Sequence, residues 1–354
     1  MLSIFNLNVN GLRSFSKSLG KDFNQWLLDT GYDIYCFQEI KGSKENLQQF
    51  HTLRNFVTIS SFHQMNGRHG VSTMIKKGIV INKISNENSE LSKKPPKELV
   101  KGRILKTFHG NFTIYNVYMP FCSVNDENAD VMKTYETLEK DLRNDQNSSI
   151  KIVCGDLNAT YAISDHYLYQ KEYEKLVISD EWSDKIKYET SLNTESNSKG
   201  VNLFSGTFYK KLLEATENNK TVDKISPKQT ELPFYFLKPI FLEEFFFQTP
   251  QRRWFKELMK TAVDTFIVVN KELYRYSCWD VKLNLRERNW GTRIDYILIY
   301  GAAEMKKVVI ESDIISDFTG SDHAPVIVKL NIDVIKSREK IKNSLFDYFS
   351  IIKT

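Results

Sequence analysis

Cysteine is scarce in this chain: Cys36, Cys122, Cys154 and Cys278 are all there is, and no two of them form a C-x-x-C pair. That scarcity argues against a zinc ribbon, offers no disulfide framework and points to a reducing compartment. There is no run of about 18 apolar residues, the length a membrane-spanning helix needs. The N-terminus lacks the charged and apolar regions of a secretory signal. The expectation is a soluble, unexported protein with no membrane partner. Strong charge of one sign is also missing. The 49 basic residues against 44 acidic ones leave +5, which permits nucleic-acid binding without demanding it. No internal repeat and no second domain can be found. What is present is bulk: 354 residues, 41% of them hydrophobic, enough for one large domain or two ordinary ones with a substantial core and no staples.

Short apolar runs of strand length recur at Leu2 to Leu7, Ile34 to Phe37, Val71 to Ile75, Phe112 to Tyr118, Ile150 to Cys154, Ile294 to Tyr300 and Val326 to Leu330. Helical spacing lies between them. Phe23, Trp26 and Leu27 precede Gly31, and Met132, Tyr135, Leu138 and Leu142 repeat every three to four residues. Alternating strands and helices indicate a mixed α/β core. From Tyr188 to Thr230 the composition turns to Asn, Ser, Thr, Lys and Glu, as in a surface insertion. The Phe-dense Leu232 to Phe247 should dock back on the body. The catalytic body is placed at 1–335 and a basic tail, "KSREKIKNSLFDYFSIIKT", at 336–354.

Polar residues gather where the strands end: Asn8 and Asn10 after Leu7, Glu39 after Phe37, Tyr118 after Val117, Asp156 and Asn158 after Cys154, and Asp322 with His323 ahead of Val326. Open sheets bind ligands outside strand ends, so these groups can converge. Singly, each has a bland reading as a turn residue or solvated carboxylate. Asp295 resists it, because it lies between Ile294 and Tyr296 in an apolar strand, where an unpaired charge is very costly. His323 is its candidate partner, although a satisfied structural histidine is the better reading of that residue alone. The ligand set of Glu39, Asp156 and Asp322, with Asn8, Asn158 and the single imidazole of His323, is rich in oxygen. It suits Mg²⁺ or Mn²⁺ and disfavours zinc. A hard ion among carboxylates indicates phosphate-ester chemistry.

The blocks "NVNGLR", "FQEIK", "NVYMP", "GDLN", "GTRIDYIL" and "GSDHAP" occur in the order used by exonuclease III-type class II AP endonucleases, which the chain resembles from Leu2 to about Ile332. "TPQRRWF", "VDTF" and "YSCWDVKLNLRERNWGTRIDY" are similar to the second eukaryotic, yeast-type subfamily. The resemblance implies a four-layer α/β/β/α sandwich and a monomeric nuclear enzyme of base excision repair. It would hydrolyse double-stranded DNA at abasic sites and at blocked 3' ends, with Mg²⁺, or Mn²⁺ in its place. Carried over motif by motif, Glu39 is the principal metal ligand, helped by Asn8, with Asp322 nearby. Asp156 takes the proton of the attacking water and Asn158 orients that water. His323, held by Asp295, donates to a nonbridging phosphoryl oxygen, and Tyr118 contacts the same phosphate.

Departures from that pattern carry expectations of their own. Asn10 stands where the main AP endonuclease has Asp, and Phe121 where it has a phosphate-binding Asn. Cys278 and Thr292 match aromatic walls of its sugar pocket, which shifts the expected balance toward 3'-phosphodiesterase and 3'-to-5' exonuclease work. Trp279 and Trp290 are candidate stacking surfaces for DNA, with core packing the competing reading. Phosphate contacts are expected from Arg13, Lys41, Arg68, Arg286 and Arg288, and less so from Arg252 and Arg253. In the tail, Leu345, Tyr348 and Phe349 resemble a sliding-clamp-binding box in which Lys342 replaces the usual Gln; the alternative is a helix packed on its own domain. Two rival functions stand beside this one. One is a phosphoesterase of the same fold acting on RNA, inositol phosphates or sphingomyelin; the other is a non-catalytic DNA or clamp adaptor.

Overall fold

The computed structural model describes every residue except Asn66, 82–97, 123–128, Asn147, 172–245, 271–274, Ala302 and 335–354. The expected insertion and the tail with its clamp-binding box, Leu345, Tyr348 and Phe349, therefore lie outside the described residues. No helix among the described residues is long and apolar enough to cross a membrane.

The strands are β1 (Leu2–Asn8), β2 (Ile34–Gln38), β3 (Phe56–Phe62), β4 (Gly70–Lys76), β5 (Glu98–Val100), β6 (Ile104–Phe108), β7 (Phe112–Tyr118), β8 (Ile150–Asp156), β9 (Ala262–Asp264), β10 (Asp295–Tyr300), β11 (Val309–Ile314) and β12 (Val326–Leu330). They form two six-stranded sheets in the orders β11-β12-β1-β2-β4-β3 and β5-β6-β7-β8-β10-β9. Each sheet contains one parallel pair, β1 with β2 and β7 with β8, and the remaining neighbours are antiparallel. A parallel pair needs a crossover. Helices α1 (Leu12–Ser18) and α2 (Phe23–Thr30) supply the first, and α4 (Ala129–Asn144) lies within the second. Between them comes the single turn α3 (Gln48–His51), and α5 (Pro250–Leu258) follows α4. Capping fixes α2 locally: the Asp22 carboxylate accepts from the Gln25 N–H at 2.8 Å, and Gly31 closes the helix at φ 76°.

Side chains alternate with period two, so each strand feeds two cores. Leu2, Ile4, Ile34, Cys36, Ile114, Ile152, Cys154, Ile297 and Ile299 fill the space between the sheets. Phe5, Leu7, Tyr35 and Phe37 face outward against Phe15, Phe23 and Trp26 of α1 and α2. Tyr115, Val117, Val153 and Leu298 face outward on the other sheet, against Tyr135 and Leu138 of α4 and Trp254 and Phe255 of α5. Helix, sheet, sheet and helix make the four-layer α/β/β/α sandwich expected from the resemblance. The Phe-rich segment docks as anticipated where it is described, since Phe246 is fully buried.

Along the inter-sheet face, apolar residues give way to polar ones toward one end. Asn6 and Asn8 follow Ile4, Gln38 follows Cys36, Asn116 and Tyr118 follow Ile114, and Asp156 follows Cys154; antiparallel β10 enters at the same end with Asp295, opposite Asp156. Buried amides bridge the two sheets beneath that end. Gln38 Nε2 donates to Asn6 Oδ1 and to Asn116 Oδ1, both at 2.8 Å, and Asn116 Nδ2 donates to the Ser72 carbonyl at 2.9 Å. Gly155 lets β8 sit against β7, because a Cβ there would lie 1.9 Å from the Val117 carbonyl oxygen.

Buried His109 carries a stability prediction. It bonds Thr107 Oγ1 through Nε2 at 2.9 Å and the Val80 carbonyl through Nδ1 at 3.1 Å, and burial pushes its pKa down to about 4. The unfolded value is about 6.5, so the unfolded chain binds the extra proton as pH falls from about 6.5 to 4, and stability falls with it. Urea unfolding should show this histidine costing about 2 kcal/mol at about pH 5. His109→Gln should narrow the difference in stability between neutral and acid pH by that amount.

Candidate active site

The polar ends of β1, β2, β7, β8 and β10 and the segment before β12 open onto one crater. Asn8, the last residue of β1, links two carboxylates: its Nδ2 donates to Glu39 Oε1 at 3.0 Å and to Asp156 Oδ2 at 2.9 Å. Its Oδ1 accepts the Asn10 N–H at 3.1 Å, and Asn10 Nδ2 reaches Asp322 Oδ1, also at 3.1 Å. Lys41 closes the chain of contacts, with Nζ 2.7 Å from Glu39 Oε2 and a hydrogen bond to Asn10 Oδ1. Asn10, Glu39, Lys41 and Asn158 all adopt φ between 45° and 50°, the left-handed region that non-glycine residues seldom occupy. Four such residues around one crater mark strain retained at a working site.

On the β8 side, Asp156 Oδ1 accepts the Asn158 N–H at 2.8 Å, and Asn158 Nδ2 donates to the Met119 carbonyl at 2.8 Å. Next to Asp156 lies the pair anticipated for Asp295: His323 Nδ1 meets Asp295 Oδ2 at 2.7 Å, and Ser277 Oγ donates to the same oxygen at 2.7 Å. The Ser277 hydroxyl also accepts the backbone N–H groups of Ile294 and Asp295, each at 3.0 Å, which fixes the carboxylate against its own strand. Arg286 clamps the His323 segment by donating to the carbonyls of Ser321 at 2.8 Å and His323 at 3.0 Å. Ser321 Oγ ties the same segment to the Asn8 carbonyl at 2.6 Å.

Electrostatics separate the groups by role. Burial, and then the charge of Asp295, push Asp156 up to about 7, while His323 and the bonds from Asn158 and Asn8 pull it back. That range suits a general base. Burial works to lower His323, but the Asp295 carboxylate and the Cys278 thiol override it and hold the imidazole well above its ordinary value. Burial would raise Glu39, yet hydrogen bonds from Lys41 and Asn8 bring it below the ordinary carboxylate value. Burial, then the charges of Glu39 and Asp156, raise the Tyr118 phenol, which therefore stays a neutral donor.

The structure brings together Asn8, Glu39, Tyr118, Asp156, Asn158, Asp295, Asp322 and His323, residues up to 315 positions apart in the sequence. Other expectations need correction. Trp279 and Trp290 are 4% and 9% exposed and belong to the inter-sheet core, so neither ring offers DNA a face. Arg286 is spent on two carbonyls and covers the Trp279 ring at 4.4 Å. Arg252 is buried, bonding Thr160 Oγ1 and the Phe246 carbonyl. Arg13, Arg68 and Arg288 are exposed, and Lys41 is engaged with Glu39. Sequence reasoning missed Ser277, Ser321, Arg103 and His69. Arg103 stacks over the Tyr118 ring at 5.2 Å and bonds its carbonyl, and the His69 ring approaches Tyr118 at 5.5 Å. Nothing in "GRIL" or "RHGV" distinguishes these two from surface residues.

Among the described residues, one set of three potential ligands brings its atoms within 4.8 Å of one another: Asp156, Asp295 and His323. Asp156 belongs both to this set and to the Asn8–Glu39 chain of hydrogen bonds, and the donors are oxygens apart from one imidazole already held by Asp295. The crater therefore fits a hard cation. The Endonuclease/Exonuclease/phosphatase family model matches residues 5–323. The chain belongs to this family. Within it, DNA-(apurinic or apyrimidinic site) endonuclease 2 of Saccharomyces cerevisiae is 33% identical over 97 residues, 24% of this chain and 18% of the yeast protein. The exodeoxyribonuclease of Bacillus subtilis is 22% identical over 347 residues, 94% of this chain and 100% of its own length. The catalytic domain of Xenopus laevis APE2 shares the fold with a TM-score of 0.61 at 18% identity, covering 96% of this chain and 94% of that one. The match spans a fifth or less of the two yeast proteins named endonuclease 2, at 18% and 10% of their lengths.

Proposed function

We propose that the chain is a Mg²⁺-dependent DNA repair nuclease that incises abasic sites and clears 3' ends, acting as a 3'-phosphodiesterase and 3'-to-5' exonuclease. The observation that carries this reading is the position of Asp156, joined through Asn8 to Glu39 on one side and adjoining the Asp295–His323 pair on the other. The names of the relatives favour DNA over the rival phosphoesterase substrates, and the intact acid–imidazole set argues against a non-catalytic adaptor.

Glu39, Asn8 and Asp322, with an oxygen of Asp156, would hold the cation, Mg²⁺ or Mn²⁺, which when bound neutralises the nonbridging and leaving oxygens of the phosphodiester. Asp156 accepts the proton of the attacking water, and Asn158, pinned to Met119, orients that water. His323 serves the phosphate rather than the cation, because a protonated imidazole has no lone pair for a metal and a proton to give a nonbridging oxygen. Asp295 and Ser277 hold the ring in place. Tyr118, flanked by Arg103 and His69, donates to the same phosphate. Exposed Arg13 and Arg68 meet backbone phosphates at the rim. The small walls at Cys278 and Thr292 grip a base-free sugar weakly, so 3'-end processing should exceed incision. Monomeric action in the nucleus and a sliding clamp held by Leu345, Tyr348 and Phe349 belong to the same reading.

The test is a panel of an abasic duplex, a 3'-blocked duplex, poly(A) and an inositol phosphate, incubated with wild-type protein and Mg²⁺. The two DNAs should be cut and the other substrates spared, with trimming faster than incision. Preference for poly(A) or inositol phosphate would overturn the assignment.

A further inference from the structure

Buried cations elsewhere in this fold are held by acids. Arg293 meets Asp165 at 2.7 Å and Asp264 at 2.5 Å, and Lys106 meets Asp141 at 2.6 Å and Asp145 at 3.0 Å. A desolvated charge is costly alone, so such pairing is expected. Half-buried Arg103 departs from it. Among the described residues no carboxylate comes within ion-pair distance of its guanidinium, whose one hydrogen bond runs from Nη1 to the Tyr118 carbonyl at 3.1 Å. Burial accordingly lowers its pKa, with the charges of Glu39 and Asp156 acting only from farther off. A guanidinium carries five N–H donors, so most of them remain for a ligand. The backbone that presents it is fixed. Arg103 closes the turn between β5 and β6, its N–H donating to the Val100 carbonyl at 3.0 Å and its carbonyl accepting the Tyr118 N–H at 2.7 Å. The Gly102 N–H is tied to Ser61 Oγ at 2.7 Å. The guanidinium stands 5.2 Å from the centre of the Tyr118 ring, and the His69 ring approaches the same phenol at 5.5 Å. Charge on this wall is of one sign: burial lowers His69 to about 4, and Arg103, His63 and Arg68 push it the same way, with Glu39 opposed. An unpaired, preorganised guanidinium beside a phenol that addresses phosphate fits an oxyanion.

We propose that Arg103 is a phosphate-binding residue that takes one of the two backbone phosphates flanking the scissile one, on the strand being cut. This rests on the nuclease reading above and deepens it. Arg103 bonds the backbone end of Tyr118, away from the hydroxyl, so its guanidinium stands back from the scissile phosphate and meets a neighbour. The contact needs no base, so it serves abasic and base-bearing strands alike.

The test measures binding of a duplex carrying one abasic site in an Asp156→Asn background, with Arg103 retained or changed to Gln, whose amide keeps a donor for the Tyr118 carbonyl. Arg103→Gln should weaken binding about tenfold and reduce the slope of log K against log salt by about one. Arg103→Lys, which retains the charge, should keep the slope. A methylphosphonate, which lacks the charged oxygen, is then placed at each flanking phosphate in turn. At one of the two positions it should weaken the protein that retains Arg103 and leave Arg103→Gln unaffected, so that the two bind alike. A deficit of Arg103→Gln that persists in full at both positions means that Arg103 only supports Tyr118, and overturns the proposal alone. Unchanged affinity of Arg103→Gln for the natural duplex, or a slope reduced as far by Lys as by Gln, does the same. Wild-type protein that neither binds nor cuts the duplex overturns the nuclease reading and the phosphate contact with it.

Discussion

Asp156→Asn is expected to lower kcat for cleavage of either DNA substrate by about 10³-fold, since a positioned base contributes roughly 10² to 10⁴ in rate. The amide has nearly the same shape and keeps one oxygen for Asn158 or Asn8, but it cannot take a proton from water. Stability should not follow activity. Burial and the neighbouring Asp295 carboxylate both oppose ionisation of Asp156, so a neutral side chain relieves repulsion in the crater. Single-turnover cleavage beside thermal melting separates the two effects. The expected pattern is a collapsed rate with a melting temperature that holds or rises. A variant that loses its rate only because it unfolds would remove Asp156 from the chemistry.

The second large effect is expected from Asp295→Asn. The carboxylate overrides the burial that works to deprotonate His323, so removing it lets burial prevail and leaves the imidazole neutral near pH 7. Losing one charged donor to the developing phosphoryl charge should lower kcat by about 10²-fold. The sign of the pH dependence is fixed. In wild type the histidine stays protonated through neutral pH, whereas in Asp295→Asn it regains its proton only as pH falls. The ratio of variant to wild-type rate should therefore climb between about pH 7 and 5. The Asp295 charge also raises Asp156, so its removal lets the base stay ionised to lower pH and adds to the same climb. A ratio flat across that range would mean that Asp295 only positions the ring and does not charge it.

Much of this site was legible because strand periodicity and the cost of burying charge are local statements. Leu2 to Leu7 announced a strand, and Asp295 amid Ile294 and Tyr296 demanded a partner, which proved to be His323. Sequence could not divide amphipathic residues between surface and core. Trp279, Trp290 and Arg252 have the chemistry of DNA contacts, yet they are buried by loops whose paths only the tertiary structure sets. Ser277 and Ser321 are invisible for a related reason. A hydroxyl acts wherever the fold leaves an unpaired group, here Asp295 Oδ2 and the Asn8 carbonyl, and neither is near it in the sequence. Asn10 and Phe121 read as losses relative to the family pattern. In the fold, Asn10 connects Asp322 to Lys41, and Phe121 is exposed.

The most direct measurement is cleavage by metal-stripped wild-type protein of a 3'-blocked duplex and of a duplex carrying one abasic site, with Mg²⁺ added back or withheld. Cleavage that appears only with Mg²⁺, leaves 3'-hydroxyl ends and weakens in Glu39→Gln is the predicted result. Equal cleavage in chelator, or none on either duplex with the cation restored, would contradict it.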